Sequence, residues 1–284
     1  MEKKTGLCSK YAVCPVCFRH CRLSEGQTGM CGARKNVDGR VIPVNYGIAT
    51  ALHLDPIEKK PLAMFCPGSN ILSVGSFGCN LFCPFCQNHE ISRMTESNSE
   101  GTYITPEQLV DSALSLKKHR NIGIAYTYNE PLTGWEYVRD ASRLASKCGL
   151  RNVLITNGSA CLPILEELLP GIDAMNIDLK GFTEEFYRWV GGDLETTKSF
   201  IERAAGECHV EVTTLIIPGK NDSEEEMERL SGWLSGIGTG IPLHITRYFP
   251  RYKFREPATD IGKIHRLAEV ARKNLEHVFI GNCR

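Results

Sequence analysis

The strongest constraint on the fold of this chain is a regular alternation of apolar runs and amphipathic stretches that begins at residue 69. Helix signals separate the runs; Thr105-Pro106-Glu107-Gln108, for example, has the form of a capping box with proline at the first helical position. The apolar runs have the length of buried strands and lie at residues 71–77, 122–126, 153–156, 174–179, 210–217, 243–246 and 278–280. Strands in alternation with helices imply a parallel sheet covered by helices.

Two α/β architectures satisfy this pattern. One is a partly or fully closed TIM-like (β/α) barrel, and the other is a doubly wound open sheet. In both, ligands bind at the carboxyl ends of the strands. The barrel is the simpler solution, and we predict that it occupies residues 69–284.

Residues 1–68 are different, because they are rich in turns and poor in helical periodicity. We predict a small cysteine-rich region here, joined to the barrel by an extended linker through residues 55–61. The whole chain has 13 cysteines. Reducing compartments disfavour disulfides, so clustered cysteines in a cytoplasmic protein indicate metal ligands or redox groups.

The composition argues against several classes of function, while it leaves a local basic patch open. Lys+Arg and Asp+Glu are both 33, so the formal net charge is zero, whereas a nucleic-acid-binding protein usually has a basic surplus. No stretch approaches the roughly 20 apolar residues of a membrane span, and residues 1–10 lack the apolar core of a signal peptide. We therefore expect a cytoplasmic protein that binds neither nucleic acid nor membrane.

Cys79, Cys83 and Cys86 directly follow the first apolar run, with the spacing C-x3-C-x2-C. Such short spacing lets one loop hold an iron–sulfur cubane. Three cysteines serve three irons, and no fourth cysteine follows in the loop, so one iron is open to a ligand. The alternative is a structural zinc site completed by His89. Placement at a strand end favours the cluster.

This pattern resembles the radical S-adenosylmethionine (SAM) superfamily. The resemblance implies a partial or full TIM-like radical SAM barrel and a [4Fe–4S] cluster whose open iron binds SAM. One electron, from a low-potential flavodoxin or ferredoxin, then cleaves SAM to methionine and a 5′-deoxyadenosyl radical. The cofactor carries the chemistry, and the protein orients and shields it. Phe85, between the last two cysteines, is expected to shield the adenine.

The resemblance continues at the ends of the next three strands. Asn129-Glu130-Pro131 occupies the place of a Gly-Gly-Glu-Pro segment that contacts the methionine amine, and Thr156-Asn157-Gly158 resembles a Thr-Asn-Gly segment. Asp178-Leu179-Lys180 resembles the Asp-Leu-Lys segment of glycyl-radical-enzyme activating enzymes, whose charged residues approach SAM. The resemblance thus implies that SAM is bound by Asn129, Glu130, Asn157, Asp178 and Lys180.

The N-terminal cysteines form a second set. This set is closed, because its four thiolates are a complete ligand set. Four thiolates suit tetrahedral zinc or an auxiliary [4Fe–4S] cluster, and a closed set indicates structure or electron relay rather than catalysis. The sequence favours zinc slightly, and Cys8 is a spare ligand. The four cysteines of the set are Cys14, Cys17, Cys21 and Cys31.

Together with Asp-Pro-Ile-Glu-Lys-Lys-Pro at residues 55–61 and Gly281-Asn282, these motifs resemble the AmmeMemoRadiSam group, which is related to pyruvate formate-lyase activating enzyme. The resemblance implies an enzyme that abstracts hydrogen from a second substrate, with a glycyl residue of a partner protein as first choice. A small molecule or another protein side chain is the alternative substrate. An iron–sulfur electron carrier without SAM chemistry is the alternative of another class.

Overall fold

The computed structural model describes residues 11–283, so the candidate ligand Cys8 lies outside the described residues. Strands and helices alternate through most of the chain. The strands are β1 (Ala12–Val13), β2 (Arg22–Leu23), β3 (Arg34–Val37), β4 (Arg40–Pro43), β5 (Ile48–Ala49), β6 (Ala51–Pro56), β7 (Asn70–Gly75), β8 (Thr102–Tyr103), β9 (Asn121–Tyr126), β10 (Arg151–Thr156), β11 (Ala174–Asp178), β12 (His209–Ile216), β13 (Leu243–Arg247) and β14 (Val278–Gly281). The helices are α1 (His89–Ser92), α2 (Pro106–Ser115), α3 (Trp135–Lys147), α4 (Leu162–Leu168), α5 (Glu184–Val190), α6 (Leu194–Ala205), α7 (Glu224–Ile237) and α8 (Ile261–Ala271).

A single sheet of eight strands organises the molecule, in the order β14-β13-β12-β11-β10-β9-β7-β6. All neighbouring pairs are parallel except β6 with β7. The parallel strands follow one another without a reversal of direction across the sheet, so right-handed crossovers put the connecting helices on one face. A doubly wound sheet requires such a reversal. The fold is therefore a partial barrel, with β6 and β14 as its two edges.

Local signals explain why individual elements form. The Oγ of Thr105 accepts a hydrogen bond from the amide of Gln108 at 3.2 Å, which completes the predicted capping box of α2. Leu109 and Ala113, one helical turn apart, are fully buried against the sheet. Burial of a leucine side chain contributes about 1.5–3 kcal/mol, so this face holds α2 in place more strongly than helix propensity does.

The first two residues of the segment predicted as a linker, Asp55 and Pro56, belong to the sheet. β6 pairs with β7 from Ala51–Gly75 to Pro56–Asn70, and a 3₁₀ turn follows at Ile57–Lys59. The sheet thus crosses the predicted boundary at residues 68–69. An edge strand is only partly buried, so β6 lacks the apolar run that marks the inner strands. Within it and its turn, only Ile57 is fully buried.

The N-terminal region packs on the end of the barrel where the parallel strands finish. The amide of Cys161, after β10, donates to the carbonyl of Val16 at 2.9 Å. The amide of Cys79, after β7, donates to the carbonyl of Cys31 at 3.1 Å. The cysteine-rich region therefore covers the end at which chemistry is expected. Among residues 11–283, no helix combines the length and apolarity needed to cross a lipid bilayer.

Candidate functional site

A cavity of about 840 Å³ opens at the carboxyl ends of the parallel strands. This volume lies in the upper part of the range for ligand pockets. The structure places in its lining every residue that the sequence assigned to catalysis or SAM binding. They are Cys79, Cys83, Phe85, Cys86, Asn129, Glu130, Asn157, Asp178 and Lys180.

The cysteine loop is suited to a metal cluster. The amide of Leu81 and the side-chain amide of Asn157 point at the Sγ of Cys79, at 3.5 and 3.8 Å. Burial raises the pKa of Cys83 to about 11, so its thiolate persists only beside a bound cation. These donors and the buried sulfurs fit a thiolate-bound iron–sulfur cluster.

The alternative zinc site is not preformed in the described part of the chain. Among residues 11–283, no three His, Cys, Asp or Glu side chains converge on a point where one metal ion would bind. The ring of His89 instead stacks on Tyr252, with centroids 4.4 Å apart. Cubane thiolates bind different irons, so they do not converge in this way.

Glu130 joins the ends of three chain segments. Its carboxylate accepts hydrogen bonds from the Oγ1 of Thr156 at 2.7 Å, the amide of Asn157 at 2.8 Å and the amide of Leu132 at 3.1 Å. Burial raises its pKa to about 7, against the opposing effect of these hydrogen bonds. Oε2 accepts only the bond from Asn157, so it retains a lone pair for an ammonium group.

Asp178 and Lys180 form an ion pair at 2.7 Å on the cavity wall. The sequence places both on one face of a strand, and the structure gives each the other as its partner. Burial disfavours the ammonium, but the neighbouring charges of Asp178 and Cys83 outweigh burial and raise the pKa of Lys180. The lysine is therefore charged, and the pair presents both signs of charge to a ligand.

Comparison with known proteins decides the family. The profile of the radical SAM superfamily matches residues 73–231, which is more than half of the chain. The chain belongs to the radical SAM superfamily. Membership implies a [4Fe–4S] cluster and SAM, and the chemistry of the donor set described above fits that cluster.

This radical SAM protein is similar to three known proteins. An uncharacterized protein of Methanocaldococcus jannaschii is 36% identical over 280 residues, covering 95% of this chain and 80% of that protein. Pyruvate formate-lyase 1-activating enzyme of Escherichia coli K12 is 26% identical over 178 residues, covering 60% of this chain and 71% of the enzyme. A radical SAM methyltransferase from Sphaerobacter thermophilus shares the fold, with a TM-score of 0.58, 17% identity, and coverage of 76% and 67% of the two chains. The chain is thus a radical SAM enzyme related to the activating enzymes.

Two predicted SAM-binding residues of this radical SAM protein are also engaged within the protein. The side chain of Asn129 accepts from the amide of Ser76 at 2.9 Å and donates to the carbonyls of Phe77 and Gly78 at 3.0 and 3.1 Å. It therefore holds the turn that leads into the cysteine loop. Phe85 lines the cavity. Its ring also belongs to an aromatic cluster, with its centroid 5.4 Å from that of Trp189. Their contact with SAM remains a prediction.

Sequence reasoning missed two residues that shape the radical SAM site. Asn80, directly after Cys79, accepts a hydrogen bond from the side chain of Asn157 at 2.9 Å. Its position between Cys79 and Cys83 was the available signal. Arg93 donates to the carbonyl of Cys79 at 3.2 Å and to that of Leu81. No local pattern marks Arg93, because only the path of the chain brings it back to the loop.

Proposed function

We propose that this protein binds SAM at the open iron of a [4Fe–4S] cluster held by Cys79, Cys83 and Cys86, and takes a hydrogen atom from a glycyl residue of a partner protein. The observation that carries the proposal is the lining of the cavity. Within residues 11–283, these three cysteines are its only thiols, and they share its wall with paired charges. When bound, the cluster and SAM supply the radical.

The chain's own residues account for the binding of SAM. The methionine part of SAM has an ammonium and a carboxylate, so it matches a site that offers both signs of charge. Asp178 and Lys180 provide that pair, and Glu130 adds a buried carboxylate oxygen. Charge-assisted hydrogen bonds of this kind are about twice as strong as neutral ones.

The far side of the cavity supports a peptide as the second substrate. Its lining continues along β14, from Phe279 to Gly281, and on to Asn282. β14 is an edge of the sheet, and an extended peptide can pair with such an edge. Relation to an activating enzyme agrees with a glycyl residue in that peptide. A low-potential flavodoxin or ferredoxin is the proposed electron donor.

Anaerobic reconstitution with iron and sulfide, followed by dithionite and SAM, tests the proposal. We expect 5′-deoxyadenosine from the wild type and none from Cys83→Ala. Cys148→Ala is the matched control, because Cys148 is exposed and outside the cavity. Absence of 5′-deoxyadenosine from wild-type protein with an intact cluster would sink the SAM assignment.

Extended peptides that contain α,α-dideuteroglycine then test the second substrate. Deuterium in the 5′-deoxyadenosine, detected by mass spectrometry, supports hydrogen abstraction from glycine. If 5′-deoxyadenosine forms but deuterium enters it only from peptides labelled at other residues, the glycyl assignment is wrong and the SAM assignment stands.

A further inference from the structure

The closed cysteine set of the N-terminal region lines a cavity of its own. Cys14, Cys17, Cys21 and Cys31 surround this cavity, which we call the four-cysteine cavity. A backbone hydrogen bond of 2.9 Å from Cys14 to Cys21 closes the loop around it. Cys14 and Cys17 are buried, whereas Cys21 and Cys31 are partly exposed. Four thiols that were separate in sequence thus share one enclosed space near the surface.

One nitrogen of a buried cation in the same cavity lacks an acceptor. Arg34 lines the four-cysteine cavity and is 3% exposed. Its Nη1 pairs with Glu136 at 2.7 Å and its Nη2 donates to the carbonyl of Val41 at 3.1 Å. Its Nε is buried and has no hydrogen-bond partner in the described chain. Unpaired buried donors are rare and call for an explanation such as a bound ion. An anionic metal–thiolate group in the cavity would supply the acceptor.

The four thiols share this cavity with the cation. Four thiolates suit tetrahedral zinc or a [4Fe–4S] cluster. The cavity therefore has the donor set of a metal centre and a positive charge to balance the thiolates.

The four-cysteine cavity is joined directly to the catalytic loop. The amide of Cys79 donates to the carbonyl of Cys31 at 3.1 Å, so one hydrogen bond connects a ligand of each set. Asn80 lines the four-cysteine cavity and bonds to Asn157, whose amide also points at the Sγ of Cys79 at 3.8 Å. Two short polar paths thus link the four-cysteine cavity with Cys79 in the catalytic loop.

We propose that the four cysteines hold a second [4Fe–4S] cluster, which relays electrons to the cluster at Cys79, Cys83 and Cys86. Zinc has no redox chemistry, so it would make no use of these paths. In addition, no three of these thiols form a single-ion site among the described residues, and the same is true of the three catalytic thiols. A cubane needs no such common point, because each thiolate binds its own iron.

The relay balances as a one-electron transfer. A low-potential donor outside the protein is oxidised by one electron. The closed cluster gains that electron and then loses it, and the catalytic cluster is reduced. The inference rests on membership of the radical SAM superfamily and is independent of the glycyl substrate.

Metal and sulfide analysis after anaerobic reconstitution in the presence of both iron and zinc tests the identity of the metal. We expect about eight irons per wild-type chain and about four in the triple variant Cys79→Ala/Cys83→Ala/Cys86→Ala, since each cubane holds four. The double variant Cys14→Ala/Cys17→Ala should also retain about four. Cys66→Ala is the control, because Cys66 is exposed and outside both cavities.

Zinc without iron in the triple variant would overturn the proposal. If either multiple variant fails to fold, the wild type alone decides, since about four irons with one zinc exclude a second cluster. The EPR spectrum of the dithionite-reduced wild type tests the relay. We expect broadening by interaction of two reduced clusters, absent from both variants. A wild-type spectrum equal to the sum of the two variant spectra would show that the sites are not coupled.

Discussion

At the scale of single residues, burial gives the polar side chains of this protein fixed partners. Glu211, on β12, is completely buried. Its carboxylate accepts hydrogen bonds from the ring nitrogens of His209 and His244 at 2.9 and 2.6 Å and from the amides of Ala63 and Met64. The ring of His244 also stacks on Phe279. Every acceptor site of Glu211 is therefore used inside the fold.

The first prediction concerns the pH dependence of this network. Burial raises the pKa of Glu211, but the hydrogen bonds from both histidines and from the two backbone amides outweigh it and lower the pKa to about 2 from an ordinary value of 4.5. Because the folded pKa is the lower one, the stabilisation is fully present above about pH 4.5 and is lost as pH falls through about 2. We expect Glu211→Gln to lower the free energy of unfolding at pH 7 by about 3 kcal/mol.

Denaturant unfolding of metal-free wild type and variant between pH 7 and pH 3 measures this effect. The difference between the two proteins should shrink as the pH falls. Glu269→Gln is the control, because the Glu269 side chain is 72% exposed, and an exposed ion pair contributes about 0–1 kcal/mol. If the two proteins differ in free energy of unfolding by the same amount at every pH, the stabilisation does not come from the ionised carboxylate of Glu211.

At the scale of elements, one turn connects β7 to the cysteine loop and to the N-terminal region. Gly78 has φ of +89°, in the region that favours glycine. A Cβ on Gly78 would lie 2.7 Å from the carbonyl oxygen of Cys31 and 2.8 Å from the Cβ of Ala33. The close approach of the two cysteine-bearing segments thus depends on the missing side chain.

We accordingly predict that Gly78→Ala separates these segments. Gly149→Ala is the matched control, since Gly149 also has positive φ, of +67°, but a Cβ there would meet no atom within 4 Å. In the control, the left-handed backbone alone should lower the free energy of unfolding by about 1–2 kcal/mol. Gly78→Ala should lower the free energy of unfolding clearly more, as measured by denaturant unfolding. It should also bind less iron after reconstitution, as measured by iron analysis. Equal losses in the two variants would show that the contact with Cys31 is unimportant.

At the scale of the whole molecule, both cysteine sets belong to one end of a partial barrel. The loop after β7 and the N-terminal region hold the thiols, whereas the core consists of parallel strands and the helices around them. Fully buried side chains such as Leu154, Met175 and Val212 lie on the inner strands β10, β11 and β12. The barrel core therefore has its own source of stability, separate from the two cysteine sets.

From this separation we predict a local response to metal removal. After chelation of iron, hydrogen exchange followed by mass spectrometry should show lost protection in residues 14–33 and 78–86. Peptides from β10, β11 and β12 should keep theirs, because their amides are paired within the sheet and their side chains are buried. Loss of protection throughout the inner strands would show that the whole barrel depends on the metals.

The sequence alone determined the fold class and predicted the position of the chemistry. Apolar periodicity marks buried strands and amphipathic helices directly, and spacing places Cys79, Cys83 and Cys86 in one loop after the first apolar run. These signals are local, because they arise from backbone geometry and from ligands within a few residues of one another. They predicted the barrel, confirmed as a partial one, and the cysteine spacing carries the resemblance to the radical SAM superfamily, which the family comparison confirmed.

Only the tertiary structure decided which distant residues meet. It made β6 an edge of the sheet, since antiparallel pairing with β7 needs no apolar run in the sequence. It paired Glu130 with Asn157, placed Arg34 beside four thiols, and joined Cys31 to Cys79 by a hydrogen bond. Such contacts join residues far apart in sequence, and they follow from the way the strands and the N-terminal region pack rather than from any local pattern.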